Sequence, residues 1–127
     1  LLRTAAWFGI NNIALSAKCA DPFNPKVVRS AGGAHFLLNI FVDINLVEFK
    51  NNKYCIIGAD QNGSPVYGFN FDNEKWVLVI GNEGHGISEN SKEYIKHFLS
   101  IPSKGSGNSL NAAVAGSILI HHLVNYK

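Results

Sequence analysis

YCIIGA at 54–59 and WVLVI at 76–80 decide the fold. Each is a short, unbroken apolar run, bounded by polar or glycine-containing sequence. A strand wetted on one face alternates apolar and polar residues. A strand covered by helices on both faces has no reason to alternate, and reads as a continuous hydrophobic run. Two such runs in succession predict the central strands of a mostly parallel sheet.

Working outward, the segments 12–16 (NIALS) and 36–42 upstream and 98–101 downstream read as further strands. Helical patterns are expected at 2–8, 26–33, 44–50, 89–95 and 109–126. Asp21-Pro22 and Asn24-Pro25 mark the turn into the second of these helices. Residues 61–73 are rich in Gly, Asn and Asp and read as loop. Strands alternating with helices define an α/β fold, a mostly parallel sheet flanked by helices.

The chain has 127 residues, enough for one compact domain spanning 1–127. With 46% hydrophobic and 16% charged residues, it has the composition of a packed core and not of a disordered tail. No apolar run reaches the roughly 18 residues of a membrane span. The longest, near 112–120, is interrupted by Gly116 and Ser117 and ends at His121 and His122. No signal peptide is visible. Cys19 and Cys55 are too few for a disulfide framework and lack metal-type spacing. They are expected to be buried thiols of a reducing cytosol. Eleven basic and nine acidic residues leave a net charge of +2, which permits a nucleic-acid partner without arguing for one.

The last helix is expected to be buried on two sides. Leu110, Ala113, Val114, Ile118 and Leu123 form one apolar face, and Ala112, Ala115, Leu119 and Ile120 extend it most of the way round. A surface helix keeps a polar half. A second subunit is the favoured cover, against the plainer reading of a helix internal to one chain.

Two glycine-containing loops follow predicted strands: GNEGHGIS at 81–88 and IPSKGSGNSLN at 101–111. In parallel α/β sheets, ligands bind beyond the carboxyl ends of the strands, and glycines let the backbone approach a ligand closely. The pattern points to a nucleotide-like ligand. It is not a dinucleotide fingerprint, which requires G-x-G-x-x-G and a following acidic residue. The first loop has the order G-x-x-G-x-G, and the second has two glycines and no acidic residue after it.

The residues also carry a family resemblance. GNEGHGIS resembles the second signature motif of the SpoU branch of the SPOUT RNA methyltransferases. IPSKGSGNSLNAAVAG at 101–116 resembles the third motif. LLRTAAWFG at 1–9 is similar to the end of the first, and KVVRSAGGAHF at 26–36 to the family's R-x-S-x-G-A segment. The first motif's Asn and the family's first strand would fall before Leu1. The chain opens Leu-Leu-Arg-Thr, lacks methionine, and is expected to be the catalytic domain of a longer, N-terminally truncated protein. Ser103 stands where the family often has Met.

The resemblance implies an α/β domain whose C-terminal segment threads a loop as a deep trefoil knot, an arrangement nearly absent elsewhere. It implies 2′-O-methylation of tRNA or rRNA ribose in the cytoplasm by a homodimer packed through the last helix. The methyl donor would be S-adenosyl-L-methionine. Gly81, Asn82, Gly84, Ile101 and Leu110 would hold this co-substrate. Arg3, Glu83, Ser109 and Asn111 would form the catalytic set, with Arg3, Arg29 and Lys104 on the RNA. No metal is implied, and His85, His121 and His122 form no recognisable ligand set. Arg3 suits a phosphate clamp better than a general base, because a guanidinium is always charged and grips phosphate through two parallel bonds. The family descriptions also give it a proton-accepting role.

Each residue also has a plain alternative. Arg3 alone would read as a surface ion pair, Glu83 as a solvated loop carboxylate, Ser109 as a helix cap, and Arg29 and Lys104 as solvated charges. Two other readings of the whole chain stand beside the enzyme: an RNA-binding module of the same fold without catalysis, and a small-molecule domain unrelated to RNA.

Overall fold

The computed structural model describes residues 1–17, 21–70, 75–82, 84–107 and 109–125. They form two compact units, Leu1–Asn45 and the unit beginning at Leu46.

The first unit contains α1 (Leu2–Trp7), β1 (Asn12–Ala14), α2 (Pro25–Ala31), a 3-10 turn (Ala34–Phe36) and β2 (Asn39–Phe41). β1 and β2 run parallel, with Ile13 opposite Ile40. Its core is built on three alanines, Ala5, Ala31 and Ala34, with Leu38, packed by Leu2, Ala6, Ile10, Ile13 and Ile40. α2 begins on the expected signal and ends at Ala31, short of the expected 33. The Asn24 Oδ1 accepts from the Lys26 amide at 2.9 Å, Pro25 supplies a preset φ at the first position, and Gly32 closes the helix at φ 58°, ψ 40°. The strand expected over 36–42 is shorter. Residues 34–37 close a local turn, with the Leu37 amide donating to the Ala34 carbonyl at 2.9 Å. Those backbone groups are therefore used before the ladder begins at Asn39.

The second unit contains α3 (Leu46–Asn51), β3 (Cys55–Pro65), β4 (Trp76–Val79), α4 (Glu89–Lys92), β5 (His97–Ser100) and α5 (Ala112–Asn125). Its sheet has the order β4-β3-β5 and is parallel throughout. The consecutive residues Ile56 and Ile57 point to opposite faces and are 2% and 0% exposed, so both faces of β3 are covered. Cys55, Ile57, Val66 and Leu99 pack with Leu119 and Leu123 of α5. On the other face, Ile56 packs with Ile87 and Ile95, joined by Leu46 and Phe49 of α3. Burying each such isoleucine stabilises the fold by roughly 1.5–3 kcal/mol. The apolar run at 54–59 therefore means what it was expected to mean, whereas the run at 76–80 forms β4, which stands at an end of the sheet order with all four residues only half-buried.

Two further expectations change in this unit. β3 continues through Pro65, into the stretch read as loop. After a shift in register, Ser64 pairs with Leu99 and Pro65 with Ser100. This continuation has exposed side chains and is held by its backbone, a signal that side-chain patterning does not carry. The helix expected at 89–95 is a single turn, because Tyr94 and Ile95 donate back to Ser91 and Lys92 and Ile95 dives into the core. α5 buries Gly116, Leu119, Ile120 and Leu123. Of the residues expected to be apolar and covered, Leu119, Ile120 and Leu123 are buried, while Leu110 and Val114 are 50% and 48% exposed in the single chain.

Candidate functional site

Because β4, β3 and β5 are parallel, the loops after β4 and β5 leave the same edge of the sheet. Two strand spacings, roughly 10 Å, separate their starting points. Such an edge is where open α/β sheets bind ligands.

The first loop is clasped. The Asn82 amide donates to the Gly86 carbonyl at 3.1 Å, and the Gly86 amide returns a bond to the Asn82 carbonyl at 2.7 Å. Inside this bridge the Asn82 Oδ1 accepts from the Gly84 amide at 2.7 Å. Gly86 lies at φ +67°, and a Cβ on Gly81 would come within 2.3 Å of the Gly86 carbonyl carbon. The glycine at 81 is thus required first by the loop's own returning arm. Beyond it, Ile87 is buried with Ile56 and Ile95, and the Ser88 hydroxyl caps α4 by accepting from the Ser91 amide at 3.2 Å. Gly81, Asn82 and Gly84 therefore sit in a pre-shaped turn pinned at both ends. Glu83 lies outside the described residues.

The second loop is open. Ile101 packs at the border of the core, and the described residues from Pro102 to Asn111, Lys104 included, are exposed. Internal bonding is sparse: the Ser103 hydroxyl donates to the Gly105 carbonyl at 3.2 Å and accepts from its amide at 3.3 Å. A Cβ on Gly105 would meet nothing within 4 Å, and Gly107 holds φ +132°. Glycine at 107 answers to backbone conformation, whereas packing asks nothing of Gly105. Asn111, not Ser109, caps the last helix. Its Oδ1 accepts from the Ala113 amide at 2.8 Å and the Val114 amide at 3.4 Å. Ser109 and Leu110 precede the cap and are exposed. A Ser–x–Asn sequence offers two good capping residues, and the backbone turn selects the second.

Arg3 and Arg29 belong to the first unit. Arg3 is exposed on α1, and its side chain runs beside Gly32, whose Cβ position would lie 3.7 Å from the Arg3 Cδ, Nε and Cζ atoms. Gly32 is the left-handed cap that ends α2. Helix C-termini present free carbonyls and a partial negative charge, favourable to a guanidinium. Arg29 occupies the last turn of α2 and is exposed. Neither arginine forms an ion pair among the described residues; Lys92–Glu89 at 3.1 Å does.

Cys55 is a buried free thiol at the start of β3, and Cys19 lies outside the described residues. Burial pushes the Cys55 thiol pKa up, partly opposed by the nearby Lys96 ammonium. Among the described residues, no helix is long and apolar enough to cross a membrane, and no group of three or more His, Cys, Asp or Glu could hold a metal.

The architecture defines an α/β protein with two ligand-type loops at the carboxyl edge of a parallel sheet. The chain belongs to the SpoU rRNA methylase family, whose model matches residues 1–121. It is 37% identical over 131 aligned positions to a protein of Bacillus subtilis named 23S rRNA (guanosine(2553)-2′-O)-methyltransferase, covering 97% of this chain and 51% of that one. Its fold matches the SpoU methyltransferase AviRb of Streptomyces viridochromogenes in complex with AdoMet. There the TM-score is 0.84 at 31% identity, over 97% of this chain and 52% of that one. An AdoMet-bound rRNA methyltransferase of Sinorhizobium meliloti gives a TM-score of 0.86 at 25% identity, over 95% and 48%. The chain spans about half the length of the curated relatives it matches.

Two local features were not singled out in the sequence. The Asn82–Gly86 clasp had a signal in the spacing of Gly81, Gly84 and Gly86. The bonds around Ser100 had none, because they join residues 37 positions apart.

Proposed function

We propose that this chain is the catalytic domain, over residues 1–127, of an enzyme that methylates the ribose 2′-hydroxyl of tRNA or rRNA with S-adenosyl-L-methionine. The observation that carries the reading is the pair of motif loops on one edge of a parallel sheet, in a fold shared with AdoMet-bound relatives. The residues suit such a co-substrate. Gly81, Asn82 and Gly84 form a turn with little side-chain bulk, and Ile101 and Leu110 bracket an exposed loop able to wrap a bent ligand through backbone groups.

The transferred methyl passes from the sulfonium sulfur to the ribose oxygen as the methyl–sulfur bond breaks and the hydroxyl proton departs, leaving a neutral thioether. The protein's task is chiefly to place oxygen, carbon and sulfur in line, which supplies roughly 7–11 kcal/mol of barrier reduction in favourable cases. Asn111 combines its cap with a position at the mouth of the second loop. Glu83 and Ser109 complete the catalytic set in this reading. Arg3 clamps the phosphate beside the target ribose, and Arg29 and Lys104 offer further phosphate contacts. The C-terminal segment is read as a trefoil knot, and Leu110 and Val114, half-exposed beside the buried face of α5, as part of a homodimer contact. In this reading the enzyme meets its RNA in the cytoplasm.

The test is methyl transfer from labelled S-adenosyl-L-methionine to rRNA and tRNA by the full-length protein. Loss of transfer in Asn111→Ala and Glu83→Ala, with circular dichroism unchanged, is the expected result. Full activity in both variants overturns the site assignment.

A further inference from the structure

Ser100 is the buried polar side chain of the described core, 8% exposed. It ends β5, directly before Ile101 and the open loop. Its hydroxyl donates to the Gly63 carbonyl at 2.9 Å, and its own carbonyl accepts from the Val66 amide at 2.9 Å. Ser64 and Pro65 pair with Leu99 and Ser100 in the second register of β3. Gly63 lies so close that a Cβ there would be 2.5 Å from the Phe98 carbonyl oxygen. Val66, at the end of this clamp, is 0% exposed. The last residue of β5 is therefore gripped from both its side chain and its main chain by residues 63–66, while the next residues outward, Pro102 to Gly107, are exposed.

We propose that Ser100 is a positioning residue for the co-substrate. Its hydroxyl, bonded to the Gly63 carbonyl, fixes the take-off of the Ile101 backbone, so the otherwise open second loop starts from one defined geometry. This rests on the reading that Ile101 holds S-adenosyl-L-methionine. Without the hydroxyl, the part-buried Gly63 carbonyl loses its donor and the clamp weakens. Part of that loss falls on the bound loop, because the ligand must then order a segment the protein no longer holds.

The experiment measures S-adenosyl-L-methionine binding by calorimetry and methyl transfer in the full-length protein, for the wild type, Ser100→Ala, Ser100→Thr and Gly63→Ala. Ser100→Ala should raise the Kd and the KM for S-adenosyl-L-methionine about tenfold, with kcat at saturating donor within about twofold. Ser100→Thr keeps the hydroxyl and should recover most of the affinity. Gly63→Ala, which forces the clamp apart, should reproduce the Ser100→Ala signature if it folds. A lower Tm in Ser100→Ala with unchanged Kd and KM overturns the proposal, as does a fall in kcat alone. If the wild type does not bind S-adenosyl-L-methionine, the functional reading itself fails, an outcome separate from either.

Discussion

The loops after β4 and β5 share a sheet edge and little else. The first is closed on itself by two backbone bonds between Asn82 and Gly86 and an internal Asn82–Gly84 bond. The second, among its described residues between Ile101 and Asn111, is exposed, and Ser103 bonds there to Gly105. A turn that satisfies its own amides is shaped before any ligand arrives. A turn whose amides face water acquires its shape on binding, and ordering it opposes affinity. A two-part cradle of this kind has one rigid wall and one adaptable wall. The adaptable wall is held at its two ends, by Ser100 and by the Asn111 cap.

The largest effect that would break this contrast is expected from Gly81→Ala. The new methyl would lie 2.3 Å from the Gly86 carbonyl carbon, and backbone cannot yield as a side-chain tip can. The clasp must open, and affinity for S-adenosyl-L-methionine should fall by about 100-fold or more, read by calorimetry alongside Tm. Retained affinity would mean that the rigid wall is not needed.

A smaller effect separates capping from chemistry at Asn111. Asn111→Ala removes the cap and should cost about 1 kcal/mol of stability, seen in chemical denaturation. Asn111→Ser restores a capping oxygen and should recover that stability. If methyl transfer stays low in Asn111→Ser, the amide acts on the reaction; if transfer recovers with stability, Asn111 serves the fold alone.

The smallest effect concerns the sheet beneath both loops. The folded state raises the Cys55 thiol pKa, chiefly through burial, so it disfavours the thiolate more than the unfolded chain does. This contribution to stability is fully present below the unfolded thiol pKa of about 8.5, and is lost as pH rises through the higher folded value. Denaturation between neutral and alkaline pH should show this decline, and Cys55→Ser should flatten it. At neutral pH the thiol should resist alkylation until the chain unfolds.

The comparison also shows where sequence reading reaches. YCIIGA identified a strand covered on both faces, because hydrophobic content is a local quantity that burial demands residue by residue; WVLVI identified a strand, but one that ends the sheet order with its side chains half-buried. The start of α2 at Asn24-Pro25 was equally legible, since an N-cap is set by neighbouring backbone; its end, expected at 33, comes at Ala31. The motif loops were found as strings. Their contrasting stiffness was not, since glycine-rich sequence reads alike whether its amides pair inward or face water. The sequence of α5 does not say which of its apolar residues face the sheet, because an almost wholly apolar helix has no polar side to orient it. Contact with β3 and β5 decides that Leu119, Ile120 and Leu123 go inward and Val114 outward.

By itself, then, the sequence determined the α/β class, the covered strand and the two loops that carry the family's motifs. Each of these follows from side-chain hydrophobicity and backbone conformation over a few neighbouring residues. Tertiary structure alone decided the extension of β3 to Pro65, the grip of residues 63–66 on Ser100, and the choice of Asn111 over Ser109 as the cap. These depend on which backbone donors and acceptors remain unpaired once the sheet has assembled, and no local pattern records that.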